Sequence, residues 1–218
     1  MSLPPLERYL QALLETLAMV GVSAVIAIGT GLLLAIVLNV TGPRGVCARP
    51  RLHKGLSIAV NICRAIPFII LLVALLPVTR AIVGTTLGTW AAVVPLAANL
   101  IPFYARIAQV SLNEVDGGLI EAARAMGCKR WHIVRHVLLP EALHGIIGGM
   151  TVSVIAMVNA SAMAGAVGAG GLGDLAIRYG YERYETRVMF EVIVVLVALV
   201  SVLQFAGERL ARRVDHRG

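Results

Sequence analysis

The stretch 121-EAARAMGCKRWHIVRHVLLP-140 interrupts an otherwise apolar chain. Arg124, Lys129, Arg130, Arg135, two histidines, Glu121, Trp131 and Pro140 crowd into it. Of the 218 residues 58% are hydrophobic and only 14% charged, and the mean hydropathy is +0.85. Soluble domains carry roughly 25% charged residues, so this composition belongs to a membrane protein. The length suits a single domain, 1–218, whose core is a helix bundle packed in lipid rather than a water-driven core.

Five apolar runs reach the ~20 residues that a helix needs to cross about 30 Å of hydrocarbon. They cover 16–39, 56–76, 87–105, 145–168 and 188–206, and only Arg64 and Glu191 place charges inside them. The first run is too long for a secretory leader, and "LNVTGPRG" after it offers no small-x-small cleavage signal. The expectation is an all-α integral membrane fold of five transmembrane helices.

Lys and Arg orient the spans, because they accumulate in cytoplasmic segments. With the N-terminus outside, the inner segments hold Arg44, Arg49, Arg51, Lys54, Arg106, Arg124, Lys129, Arg130, Arg135, Arg209, Arg212, Arg213 and Arg217. The outer ones hold only Arg8, Arg80, Arg178, Arg183 and Arg187. The N-terminus is therefore expected outside, the C-terminus in the cytoplasm, and the polar stretch in a cytoplasmic loop at 106–144. The same asymmetry accounts for the net charge of +7 as a matter of orientation beside anionic lipid, not of nucleic-acid binding.

Cys47, Cys63 and Cys128 are odd in number, lack CxxC spacing and fall in or near the reducing compartment, so no chemistry is assigned to them. His132 and His136 stand at i and i+4, a spacing able to bind metal, but no third ligand is near in sequence. They read as exposed polar residues.

Asp116 can cap a helix through "GGLIEAARAM", and Gly127 suits the left-handed turn that ends one. A second helix is expected from Lys129 until Pro140 interrupts it. Trp131, Val134 and Leu138 fall on one face of it. Such a hairpin could lie passively on lipid or pack beneath the spans.

The spacing Glu121, Ala122, Ala123, three residues, Gly127, nine residues, Val137, one residue, Leu139, Pro140 resembles the EAA loop of ABC importer permeases, with Val137 where Ile is usual. The resemblance implies a cytoplasmic coupling-helix hairpin that docks on a separate ATPase subunit, with Glu121, Ala122, Ala123, Gly127, Leu139 and Pro140 as its coupling residues. It further implies that nucleotide-driven closure of two ATPase copies switches the spans by alternating access. The only lysines, Lys54 and Lys129, follow His53 and Cys128, so no P-loop Gly-Lys-Ser/Thr exists. No cofactor is expected in this chain; ATP and Mg would be bound by the partner ATPase, and the chain itself would be no enzyme.

"GAGGLG" at 168–173 satisfies GxGxxG but follows an apolar span instead of a β-strand. It reads as a flexible outer connection in which Gly165, Gly168, Gly170, Gly171 and Gly173 let the fourth span bend. "NASAMAGAVGAGGLGDLAIRYGY" at 159–181, with "RAIPFIILL" at 64–72 and "QFAGERL" at 204–210, is similar to the methionine-import permeases of the bacterial cytoplasmic (inner) membrane. A permease for another small amino acid is the alternative. An ATP-independent channel or secondary carrier would need more intramembrane ionisable residues than Arg64 and Glu191.

By this likeness the fourth span lines the pathway, with Asn159, Ser161 and Met163 near its outer end. Asn159 would face protein, cavity or substrate, and Met163 could plug a narrow gate. Interhelical packing is the competing role for all three. Ser23, Ala27, Gly31 and Ala35 in the first span, and Gly145, Gly149 and Ser153 in the fourth, form small-residue stripes for close helix contact. Arg64 is read as snorkelling to the inner interface. Five helices enclose a pore poorly, so a twofold homodimer is expected, served by an external substrate-binding protein or lipoprotein. "RYGYERYETR" at 178–187 fits either an aromatic interface belt or a landing surface for that protein.

Overall fold

The computed structural model describes residues 6–43 and 45–214. Arg44 and Arg217, which enter the charge count above, lie outside the described residues. Among the described residues the chain is helical, with no strand. The elements are α1 (Leu6–Thr41), α2 (Pro50–Ala65), α3 (Phe68–Ala74), α4 (Leu76–Val83), α5 (Thr89–Asn113), α6 (Gly117–Ala125), α7 (Arg130–Ile133), α8 (Leu139–Ala164), α9 (Gly171–Leu175) and α10 (Thr186–Arg213).

Small residues set the central packing. Ser23, Ala27, Gly31 and Ala35 are all buried on α1, and α5 lies against them. Ser23 Oγ donates to the Val93 carbonyl at 3.4 Å, Gly31 sits against Ile101 and Tyr104, and Asn39 Nδ2 donates to Asn113 Oδ1 at 2.8 Å. The pairings advance together along both helices, so α1 and α5 run parallel. The intervening segment must therefore carry the chain back to its starting end.

The second stripe packs on the other side of α5. Gly145 faces Ser111, Gly149 faces Ile107, and Ser153 is fully buried with its hydroxyl returned to the Gly149 carbonyl at 2.7 Å. These contacts make α8 antiparallel to α5. His144 Nδ1 donates to the Ala211 carbonyl at 3.1 Å, and Gly207 abuts Thr151, so α10 is antiparallel to α8. In lipid such close approach, with van der Waals contact along the whole seam, replaces the water-driven term.

Among the described residues four helical stretches are long and apolar enough to cross a membrane, α1, α5, the run Arg130–Ala169, which kinks at Val167 and Gly168, and α10. The run 56–76 departs from expectation. It is not one helix: α2 and α3 are bent by 100°. Pro67 brings no N–H to continue the ladder, and Ile66 before it is extended, with φ −77° and ψ 122°. The bent pair serves as the fifth candidate span, and α4 continues from it to the left-handed Gly84.

The other helices outrun their apolar windows. Residues 106–113 of the expected loop belong to α5, and 139–144 belong to α8. Pro140 does not interrupt the second polar helix. A wide π-helical turn at Val134–Leu138 carries the chain from α7 into α8, with Pro140 in the first turn of α8. The wider ladder relieves the clash and missing donor that Pro imposes on a regular helix.

Candidate functional site

At one end of the bundle α6 and α7 form a hairpin. The Asp116 carboxylate accepts from the Gly118 amide at 2.9 Å, capping α6. Its far end closes with Gly127 at φ +77°. The Gly127 amide donates to the Arg124 carbonyl at 2.9 Å and the Cys128 amide to the Ala123 carbonyl at 3.1 Å, the paired bonds of a Schellman termination. Both signals read in the sequence act where expected.

The six hairpin residues separate by role. Glu121, Ala122, Gly127 and Pro140 are exposed, whereas Leu139 is half-buried and Ala123 buried. Glu121 makes no hydrogen bond or ion pair among the described residues, so its carboxylate is presented outward. Ala123 faces inward, packed with Val46 and Ile133. Arg124 Nη2 donates to the Gly45 carbonyl at 3.2 Å, and Arg130 Nη1 donates to Cys47 Sγ. These contacts bind the hairpin to the segment that follows α1.

The buried face of the second polar helix matches the expected one in part. Ile133, Val134 and Leu138 are buried, but Trp131 remains 63% exposed. His132 and His136 stack, with ring centroids 5.7 Å apart, and both are exposed. Cys47, Cys63 and Cys128 are free thiols.

Because α7 passes into α8 without a break, the hairpin is joined by one helix to the opposite end of the bundle. From Arg130 to Met163 that helix extends roughly 50 Å at 1.5 Å per residue. Asn159 and Met163 are exposed on one face, one turn apart. Ser161 is 3% exposed, and its hydroxyl donates to the Val158 carbonyl of its own helix at 2.7 Å. The three residues thus divide: two are presented outward and one is turned in.

The glycine-rich segment beyond α8 bends the fourth span as expected, at Val167 (φ −107°, ψ 17°) and Gly168 (φ 90°, ψ 22°), but it is closely packed and not a loose connection. Gly168, Gly170 and Gly171 adopt φ of +90°, +81° and +77°, and a Cβ on Gly165 would come within 2.5 Å of the Asp174 nitrogen. The glycines permit contact instead of looseness. The Gly171 amide donates to Glu15 Oε2 at 2.8 Å and the Leu172 amide to Thr16 Oγ1 at 2.9 Å, both from α1.

Sequence reasoning missed Glu15 and Thr16. The one available signal was an acid directly before the apolar run at 16–39. Nearby, Arg8 donates to the Tyr179 hydroxyl, Tyr9 donates to Glu191 Oε2 at 2.6 Å, and Arg187 pairs with the same carboxylate at 2.9 Å. Arg183 covers the ring of buried Tyr179 at 4.4 Å, while Tyr181 and Tyr184 stay exposed. Arg64 is exposed in the last turn of α2.

Among the described residues, a helical bundle of apolar spans with a capped polar hairpin feeding one of them defines an integral membrane protein. The chain belongs to the family of binding-protein-dependent transport system inner membrane components, whose model matches residues 27–217. Among its relatives, the D-methionine transport system permease protein MetI of Escherichia coli strain K12 is 48% identical, covering 100% of both chains. The probable D-methionine transport system permease protein MetI of Vibrio cholerae is 46% identical over 95% of this chain and 92% of its own. A solved structure of the MetNI methionine ABC transporter in an inward-facing conformation superposes with a TM-score of 0.96 at 48% identity, covering 99% of this chain and 100% of that one.

Proposed function

We propose that the chain is the permease subunit of an ATP-driven methionine importer of the bacterial inner membrane, with the N-terminus outside and the hairpin end in the cytoplasm. Two copies related by a twofold axis enclose the pathway between them. Two copies of a separate ATPase dock on the two hairpins and bind the ATP and Mg; this chain holds neither. An external binding protein or lipoprotein delivers the substrate.

The observation that carries this reading is the unbroken path from α7 to α8. Ala123 seats α6 on Ile133, α7 continues into α8, and α8 carries Asn159 and Met163. A displacement of α6 by a closing ATPase pair is delivered through the helix to residues at the far end. Glu121 and Ala122 face the ATPase, while Ala123 and Gly127 keep the hairpin rigid enough to transmit the movement. Asn159 and Met163 face the pathway, Met163 closing its outer end. The match to methionine permeases over the full chain supports the substrate.

Uptake of labelled methionine by cells stripped of their own methionine importers, then given this chain with its ATPase and binding protein, tests the assignment. Uptake competed by methionine-like compounds is expected. Uptake restored only for a different amino acid would overturn the substrate.

A further inference from the structure

We infer that Glu15 and Thr16 are positioning residues for the outer gate: by two hydrogen bonds they hold the glycine turn on which α8 ends, and so set the resting position of Met163. The inference rests on the import reading above. It concerns a part of the chain that the family model does not reach, since that match starts at residue 27.

The first amides of a helix have no acceptor within it, and in an apolar interior there is no water to replace one. At α9 those amides belong to Gly171 and Leu172, the latter fully buried. Glu15 and Thr16 supply the acceptors. Both side chains are themselves held in place. Gln11 Nε2 donates to Glu15 Oε1 at 3.0 Å, and the Thr16 hydroxyl donates to the Ala12 carbonyl at 3.0 Å, which leaves Oγ1 free to accept.

Gly170 and Gly171 press directly on these groups. A Cβ on Gly170 would come 2.7 Å from Glu15 Oε2, and one on Gly171 would come 2.7 Å from Thr16 Oγ1. From there the contact passes to the gate. Gly165 at the end of α8 packs against Asp174 and Gly173 of α9, and Gly173 packs against Ala162, the neighbour of Met163. So α1 holds α9, α9 holds the last turn of α8, and that turn carries Met163 outward. Arg8 with Tyr179 and Tyr9 with Glu191 fasten α1 separately, so deleting one acceptor leaves the helix anchored.

The test uses the complete complex with its ATPase, reconstituted in lipid nanodiscs without nucleotide. Cys47, Cys63 and Cys128 are replaced by Ser, and Met163→Cys is the reporter for a membrane-impermeant maleimide. Glu15→Ala and Thr16→Val are each expected to speed labelling, roughly fivefold to tenfold, the population change that follows from losing one hydrogen bond of typical net strength, part-buried at Glu15 and buried at Thr16. Glu15→Gln keeps a carbonyl acceptor for Gly171 and is expected to label at the reference rate. Equal rates in Glu15→Ala, Thr16→Val and the reference would overturn the proposal, as would Glu15→Gln labelling as fast as Glu15→Ala. Should Glu15→Ala fail to assemble, Thr16→Val decides, since it deletes the acceptor and keeps the side-chain shape. Labelling needs neither substrate nor ATP, so unchanged labelling beside intact methionine uptake overturns the clasp alone, and a labelling response without uptake overturns the import reading alone.

Discussion

Gly31 of α1 rests directly against Tyr104 of α5: a Cβ added at Gly31 would lie 3.0 Å from Tyr104 Cδ1 and 3.0 Å from the Ile101 carbonyl oxygen. The ring is fully buried and the carbonyl is backbone, so neither yields readily. Gly31→Ala is expected to destabilise the chain by about 1–3 kcal/mol, the usual range for overpacking. Gly29, two residues earlier, has nothing within 4 Å. Gly29→Ala is expected to be neutral or to stabilise by up to about 1 kcal/mol, through lower backbone entropy of the unfolded chain. Thermal unfolding midpoints in detergent, lower for the first and unchanged or higher for the second, check the pair.

The hairpin separates docking from folding. Glu121→Ala removes an exposed carboxylate with no partner among the described residues, so the protein is expected to keep its thermal midpoint while less ATPase co-purifies with it. Ala123→Leu forces a larger side chain between Val46 and Ile133. It is expected to cost about 1–3 kcal/mol and to disorder α6. Hydrogen exchange of the α6 amides distinguishes the two: protected in the first variant, exposed in the second. Undiminished ATPase association with Glu121→Ala would overturn the docking role proposed for that residue.

Much of this was legible in the sequence, for reasons that particular residues make plain. Asp116 and Gly127 act within a few residues of themselves, so a cap and a left-handed turn can be read locally. The stripes at Ser23–Ala35 and Gly145–Ser153 carry their packing in their periodicity. What hydropathy could not convey was the backbone. A window average counts Pro67 as one more residue in an apolar run, yet it is where the chain turns by 100°. The glycines of 165–173 misled for a different reason: sequence reveals that they permit unusual φ, but not that Glu15 and Thr16, more than 150 positions away, press against them. Nor does an apolar span reveal its helical phase, so Ser161 and Met163 read alike although one is buried and the other 54% exposed.

That division makes a prediction for α8. Ser161→Ala deletes only a bond from the side chain to its own helix backbone, and methionine uptake is expected within about twofold of the parent, since such back-bonding adds little to a helix. Asn159→Leu removes the exposed polar group of the face proposed to line the pathway and is expected to lower uptake by about tenfold, the equivalent of one lost hydrogen bond to substrate or its water. Initial-rate measurements in reconstituted vesicles check both. Equal losses in the two variants would contradict the division.

Two left-handed glycines test the packing of the glycine turn beyond α8. Gly84 and Gly171 both have positive φ, so Ala at either carries a backbone cost of about 1–2 kcal/mol. Gly84 has nothing within 4 Å, but a Cβ at Gly171 would also meet Thr16 Oγ1 at 2.7 Å and Met19 Cε at 2.8 Å. Gly171→Ala is therefore expected to lower the thermal midpoint clearly more than Gly84→Ala. An equal effect would mean that the turn is looser than its contacts indicate.

In the proposed function, movement of a docked ATPase drives this chain to import methionine. ATP-dependent accumulation of labelled methionine in proteoliposomes carrying the chain, its ATPase and its binding protein measures it most directly. Accumulation is expected to require ATP and every component, and to stop when the hairpin cannot dock. Accumulation that proceeds without ATP, or without the ATPase, would contradict that function.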